Sequence, residues 1–232
     1  MERLTNIDWN EVHNSINSNG FATVPKVLTK DECDSLIQNY DNDALYRSVI
    51  SMERYRFGKG EHKYFKYPLP NLVETLRERF YPMLVPIANA WSEKLKLGVR
   101  YPDTLKKFIA ECHEHNQSRP TPLILKYEPG GYNTLHQDLY GDVYFPFQVV
   151  FMLTQFGTDH EGGDFVMVEQ VPRAQSKAEV VRPNLGDAVV FTTNFRPING
   201  TKGYGRAKLK HGVGEVKSGN RFALGITFHD AS

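Results

Sequence analysis

Apolar positions recur at helical spacing in the first part of the chain and at strand spacing in the last. Trp9, Val12, His13 and Ile16 mark one face of a helix running to Gly20, and residues 21–25 then read as a short strand. Thr29-Lys30-Asp31-Glu32 has the form of a capping box, in which hydroxyl and carboxylate each satisfy an orphan amide of the first turn. The helix it opens sets Cys33, Leu36, Ile37 and Tyr40 on one face. A further stripe, Leu72, Val73, Leu76 and Phe80, begins near Asn71. Pro82 and Pro86 lack an amide hydrogen and are expected to interrupt it before the pattern resumes from Ile87 to Leu97. From about Thr121 the period changes. Segments 122–127, 147–153, 164–168, 187–191 and 221–228 are short, β-branched or aromatic, and bounded by Gly, Pro or Asn. Such strands without intervening helices predict an antiparallel sandwich or barrel. The expected organisation is one α+β domain over 1–232, with 1–120 a helical support packed on one sheet of a β-core spanning 121–232.

Composition narrows this picture only slightly. The length of 232 residues suits one full-sized domain, and 40% apolar with 24% charged residues excludes disordered and fibrous classes. Charges nearly cancel, 28 basic against 27 acidic, so no global field advertises a polyanion partner. Cys33 and Cys112 are too few for a disulfide scaffold and wrongly spaced for zinc. The opening residues lack a signal-peptide pattern and no long apolar run occurs, so the expectation is a cytoplasmic protein with no membrane contact and no obligate protein partner.

One constellation carries chemistry. His136-Gln137-Asp138 is a His-x-Asp on a stretch of extended character, where residues two apart face the same side and converge on one ion. By itself such a pair is more often a surface feature than a metal site. His211, on a later strand, completes a two-His-one-carboxylate face, the arrangement of non-haem Fe(II) oxygenases. Arg221 follows ten residues later at the start of the last strand, with a fork of donors suited to a carboxylate.

The ordered series Tyr127, His136-x-Asp138, Glu161-Gly162-Gly163-Asp164-Phe165, Pro183-x-x-Gly186-Asp187, His211 and Arg221 resembles the Fe(II)/2-oxoglutarate-dependent dioxygenases. More closely, residues 60–65, 135–141 and 224–230 make the whole chain similar to a bacterial family of oxygenases described as acting in oxidative demethylation of damaged DNA. The resemblance implies a double-stranded β-helix, a jelly-roll of cupin-like form. It further implies Fe(II) on His136, Asp138 and His211, and 2-oxoglutarate chelating the iron with its far carboxylate on Arg221 and a hydrogen bond from Tyr127. O2 takes the remaining position, and a C–H bond is hydroxylated with release of succinate and CO2.

Substrate is less sharply marked. The segment from Tyr127 to Asp138 also resembles AlkB-type alkylated-DNA demethylases, but their closing strand carries Arg-x-Asn-x-Thr-x-Arg where this chain has Arg221, Ala223, Gly225 and Thr227. The ten-residue His211–Arg221 interval and the Tyr127 spacing look more like prolyl hydroxylases. Residues 54–67 interleave five Lys/Arg with five aromatics, a composition that can track phosphates and stack bases or simply form a lid. Tyr132, Tyr140, Gln148 and Arg196 are candidates to line the substrate mouth. Cys112-His113-Glu114-His115 reads as a solvated helix end rather than a second metal site, and His229 as a packed or surface residue rather than a ligand. The open readings are oxidation of alkylated DNA bases, hydroxylation of a prolyl or other protein side chain or of a small metabolite, and a non-catalytic cupin-like metal sensor.

Overall fold

Local signals decide where the first helices begin and end. The computed structural model describes residues 2–201 and 203–232. Helix α1 (Trp9–Asn19) starts where the Asp8 carboxylate accepts from the amides of Asn10 and Glu11 at 3.0 and 3.1 Å, and stops at Gly20 with φ of 83°. Strand β1 (Phe21–Val24) follows, and α2 (Lys30–Gln38) opens with the complete Thr29/Glu32 capping box. Next come β2 (Tyr46–Ser51), β3 (Gly58–Lys59) and β4 (Glu61–Phe65), then α3 (Asn71–Leu95) and α4 (Leu105–Glu114). The remainder is strand: β5 (Leu123–Tyr127), β6 (Tyr132–His136), β7 (Phe147–Met152), β8 (His160–Gly162), β9 (Phe165–Gln170), β10 (Lys177–Val181), β11 (Ala188–Thr192), β12 (Phe195–Gly200), β13 (Gly203–Val213), β14 (Val216–Gly219) and β15 (Arg221–Thr227).

Two antiparallel sheets face each other. The major sheet has the order β1-β11-β7-β15-β5-β4-β2, and the minor sheet β10-β9-β13-β6-β3 with β12 paired to β13. β7 is buried at every position because both its faces are covered. Phe147, Val149 and Phe151 pack in a large cluster with residues of α1, α2, α3 and α4. Val150 and Met152 point the other way, into a smaller cluster with Phe165, Met167 and Phe191 between the sheets. The helices therefore buttress the outer face of the major sheet, and the space between the sheets is where a site forms.

Two sequence expectations change. Beyond the short strand expected at 21–25, residues 1–120 supply β2 and β4 to the major sheet and β3 to the minor one. Among the described residues α3 is continuous through Pro82 and Pro86. Both prolines lie on its exposed side, where water satisfies the carbonyls they leave unpaired, while Val73, Leu76, Phe80, Leu84 and Trp91 anchor the opposite side. No helix among the described residues is long and apolar enough to cross a membrane.

Candidate active site

Strand pairing brings the three candidate ligands together. His136 ends β6 directly opposite His211 on β13, and their rings stand 4.2 Å apart. Asp138 lies two residues past the end of β6, yet its carboxylate reaches both imidazoles, at 3.5 Å from His136 Nε2 and 3.2 Å from His211 Nε2. The ligand atoms all lie within 4.8 Å of one another, the one such group among the described residues. His136 Nδ1 sits 2.7 Å from the Thr134 carbonyl and donates to it, so in the neutral imidazole that binds metal, once Nε2 has given up the proton it shares with Asp138, the lone pair on Nε2 faces the cluster.

The electrostatics suit a cation. Burial alone would raise the Asp138 carboxyl, but the His211 charge and hydrogen bonds from both imidazoles hold it well below the usual carboxylate range. Burial and the neighbouring His136 push His211 down, towards the neutral form that binds metal. His136 feels burial downwards, yet the Asp138 hydrogen bond and charge win and raise it.

Behind this cluster the cavity runs to Arg221. Arg221 begins β15, pairs in register with Tyr127 of β5, and is only 1% exposed. Its Nε has no hydrogen-bond partner, and its Nη2 contacts the Met152 sulfur at 3.5 Å. Buried guanidinium groups are normally paired, so this one lacks its counter-charge. Burial pulls its pKa down, opposed by Tyr127 and Asp164, while the Asp164 carboxylate itself is bound to Arg182. Gly163 explains part of the Glu161–Phe165 motif. It adopts φ of 70°, and a Cβ there would stand 2.7 Å from Arg221 Cδ.

Tyr127 is fully buried under the guanidinium, whose Cζ lies 5.5 Å from its ring centre. Burial pushes the phenol up to about 12, so it keeps its proton, and its oxygen accepts from Asn133 Nδ2 at 3.4 Å. Two imidazoles, a carboxylate, an uncompensated guanidinium and a phenol thus share one cavity. The set fits a divalent metal together with a small dicarboxylate.

Of the candidate substrate residues, Tyr140 and Gln148 line this cavity, while Tyr132 and Arg196 do not. Tyr140 donates to Asp138 Oδ1 at 2.7 Å and accepts from Tyr64 Oη at 3.3 Å, which makes it a prop for the carboxylate. Tyr132 is 42% exposed on the outer side of β6. Arg196 is tied to Glu169 and to the Asn17 carbonyl, because β12 crosses over the far end of β13. His62 and Tyr64 were missed as lining residues. Their alternation in the strand Glu61–Phe65 was the available signal, but the basic and aromatic run masked it. Lys63, between them, packs over the Tyr40 ring at 4.4 Å and bonds the Tyr40 carbonyl, so it is no phosphate contact. His113 meets Asp230 at 3.1 Å and Cys112 is buried, so that motif holds no metal cluster. His229 is packed, its Nδ1 accepting from the Phe145 amide at 3.2 Å.

Comparison with known proteins names this arrangement. Residues 60–231 match the family described as "Oxygenase, catalysing oxidative methylation of damaged DNA". The chain belongs to this family of oxygenases. It is 44% identical over 168 residues, 72% of either chain, to the uncharacterised protein Rv2227 of Mycobacterium tuberculosis strain H37Rv. Among solved structures, a Pseudomonas putida prolyl-4-hydroxylase superposes with a TM-score of 0.56 at 14% identity, covering 97% of this chain and 99% of that one. A Burkholderia pseudomallei oxidoreductase of the 2OG-Fe(II) oxygenase family gives 0.54 at 14% identity, covering 97% and 92%. At that identity the likeness is one of fold, the double-stranded β-helix. The family makes this chain an oxygenase, an enzyme rather than a sensor, and the His136–Asp138–His211 cluster is a set that could hold its metal ion.

Proposed function

We propose that this oxygenase is an Fe(II)- and 2-oxoglutarate-dependent dioxygenase that oxidises alkylated bases in nucleic acid, with Fe(II) on His136, Asp138 and His211 and the far carboxylate of 2-oxoglutarate on Arg221. The missing counter-charge of Arg221 supports the second assignment, since a bidentate carboxylate is the partner that a guanidinium fork selects. Tyr127, protonated and beside it, is placed to donate to the same carboxylate. Tyr140 holds the Asp138 carboxylate in the orientation that faces both imidazoles. Phe165, Phe191, Val150 and Ala223 line the space between Arg221 and the ligands and keep water out. Bound there, the metal and co-substrate supply the oxidation, one oxygen atom of O2 entering a substrate C–H bond and the other leaving in succinate beside CO2. On an N-methyl group the product is N-hydroxymethyl, whose collapse releases formaldehyde and leaves N–H. The net reaction removes a methyl group.

The observation that carries the nucleic-acid reading is a groove sharing a wall with the metal site. Residues 136, 138 and 140 line the cavity, while Gln137 and Leu139, alternating with them, line an outer groove with Arg173, Arg206 and Lys208. No acidic side chain lines that groove. A chain of phosphates lying there would pass within one strand's thickness of the metal. Exposed Tyr55 and Phe57, stacked with centroids 5.6 Å apart on the segment before β3, offer a second base-stacking surface. Cys33 and Cys112, both buried and unpaired, support a reducing, cytoplasmic setting.

The deciding experiment is succinate formation under O2 with methylated single-stranded oligonucleotides, Pro-rich peptides and free amino acids. Methylated DNA should stimulate turnover above the uncoupled background, and raising salt from 50 to 200 mM should weaken that stimulation steeply. Asp138→Ala should abolish both succinate and the visible charge-transfer band of the anaerobic Fe(II)–2-oxoglutarate complex. Stimulation by a peptide and by no oligonucleotide overturns the base reading.

A further inference from the structure

Gln148 is an odd residue for its place. It sits in β7, an interior strand of the major sheet, and points into the cavity between Phe191 on β11 and Thr227 on β15, its partners in register. It is only 6% exposed, and its Nε2 is buried with no hydrogen-bond partner. A buried amide in that position is normally satisfied by a neighbour. The neighbours are otherwise engaged: Phe191 has no polar group, and the Thr227 hydroxyl donates to Thr121, which in turn donates to the His229 carbonyl.

Gly225 occupies the adjacent inward position of β15, so no side chain from that position covers the amide; a Cβ there would already touch Leu123 and Leu125, at 3.5 and 3.7 Å. The Phe191 ring stands 4.7 Å from the His211 ring, so whatever rests against Gln148 lies next to the metal ligands. Unlike Arg221, at the other end of the same wall, this polar group belongs to no proposed co-substrate contact.

We infer that Gln148 is the residue that reads the substrate base, its Nε2 donating to a carbonyl oxygen adjacent to the methylated ring nitrogen. The inference rests on the proposed oxidation of alkylated bases and deepens it. A carbonyl completes the orphan donor, whereas an exocyclic amino group presents hydrogen to hydrogen and leaves both unpaired. Sites built around a buried hydrogen bond discriminate strongly against analogues that cannot make it. The methylated purines isolate this feature, because 1-methylguanine carries oxygen at position 6 where 1-methyladenine carries nitrogen. The enzyme therefore prefers 1-methylguanine.

The test compares the two purines in otherwise identical single-stranded oligonucleotides, with wild type, Gln148→Leu and Gln148→Glu, each loaded with Fe(II) and 2-oxoglutarate. Wild type should favour 1-methylguanine by about tenfold or more in kcat/KM. Gln148→Leu should erase that ratio, and Gln148→Glu, which offers only acceptors, should reverse it. Anaerobic oligonucleotide binding, read from the shift of the visible Fe(II)–2-oxoglutarate band, should follow the same order, and the band's presence shows that each variant is folded and loaded. An unchanged purine ratio in Gln148→Leu overturns the assignment. If wild type oxidises a peptide and neither purine, the base reading fails. In that case a tenfold loss of peptide kcat/KM in Gln148→Leu retains the carbonyl contact, and no loss overturns it. Turnover of neither class overturns it as well.

Discussion

Two arginines, Arg77 and Arg221, are almost completely buried, at opposite ends of β15, and they do opposite things. Arg77 reaches from α3 to the Thr227 carbonyl at 3.1 Å, the Phe228 carbonyl at 2.9 Å, the Tyr67 hydroxyl at 2.9 Å and the Asp230 carboxylate at 2.9 Å. Every arm of its guanidinium has work within the chain, and it pins the end of the last strand to the helical buttress. Arg221, at the start of the same strand, has no carboxylate and an unpartnered Nε. The difference separates a guanidinium fully engaged within the chain from one left with an unpartnered Nε, the one we propose takes a carboxylate ligand. Residue type and burial are the same in both; only the inventory of partners tells them apart.

The contrast breaks most visibly at Arg77. Arg77→Met leaves Asp230 buried without its cation and should lower stability by about 3–5 kcal/mol in urea unfolding. A loss under about 1 kcal/mol would place Arg77 in the same class as Arg221. Next, Arg221→Met should lower 2-oxoglutarate affinity by more than about a hundredfold, roughly 2.7 kcal/mol, in anaerobic titration of the visible band. The same variant without ligand should be as stable as wild type or more so, since an uncompensated buried charge is replaced by an apolar chain of similar volume. Destabilisation matching that of Arg77→Met would show that Arg221 is structural too.

Acid sharpens the comparison at the Arg77 end. Burial, then the Arg77 charge, push His229 down to about 4. The unfolded chain, with an ordinary imidazole near 6.5, binds the extra proton first as pH falls. Stability carried by neutral His229 is therefore full above about pH 6.5 and drains away towards pH 4, amounting to about 2 kcal/mol between pH 7 and 5. Urea midpoints across that range should fall accordingly, and a flat profile would contradict it. The smallest effect is expected at Tyr140→Phe. Removing the hydroxyl that donates to Asp138 should weaken Mn(II) or Fe(II) binding about tenfold while the unfolding midpoint barely moves. Unaltered metal affinity would reduce Tyr140 to packing.

Much of the architecture was legible because local rules dictated it. The Thr29/Glu32 capping box, the Gly20 stop and the strands β5, β7, β9, β11 and β15 appear where turn chemistry and periodicity put them. Strand β13 was harder to see, since Gly203–Val213 is polar on its exposed positions and glycine-rich, with only Ala207, Leu209, His211 and Val213 turned inward. The continuity of α3 was hidden because two prolines weaken a helix locally, and only the buried stripe packed against the major sheet outweighs them. Tyr140 was legible as a residue near the cavity but not as a partner of the Asp138 carboxylate, and Arg196 as a cation but not as the partner of Glu169.

The order of His136, Asp138, His211 and Arg221, together with the strand pattern around them, was enough by itself to point to the fold class and the oxygenase family, and to suggest the metal and co-substrate proposed for the site. These depend on residue type and on spacing along one chain. Tertiary structure alone decided that Asp138, beyond the end of its strand, still meets both imidazoles, that Arg221 Nε and Gln148 Nε2 lack partners, and that Arg77 is fully engaged. Whether a buried polar group is satisfied depends on atoms brought from distant positions by sheet register and helix packing. No spacing rule in the sequence encodes that sum.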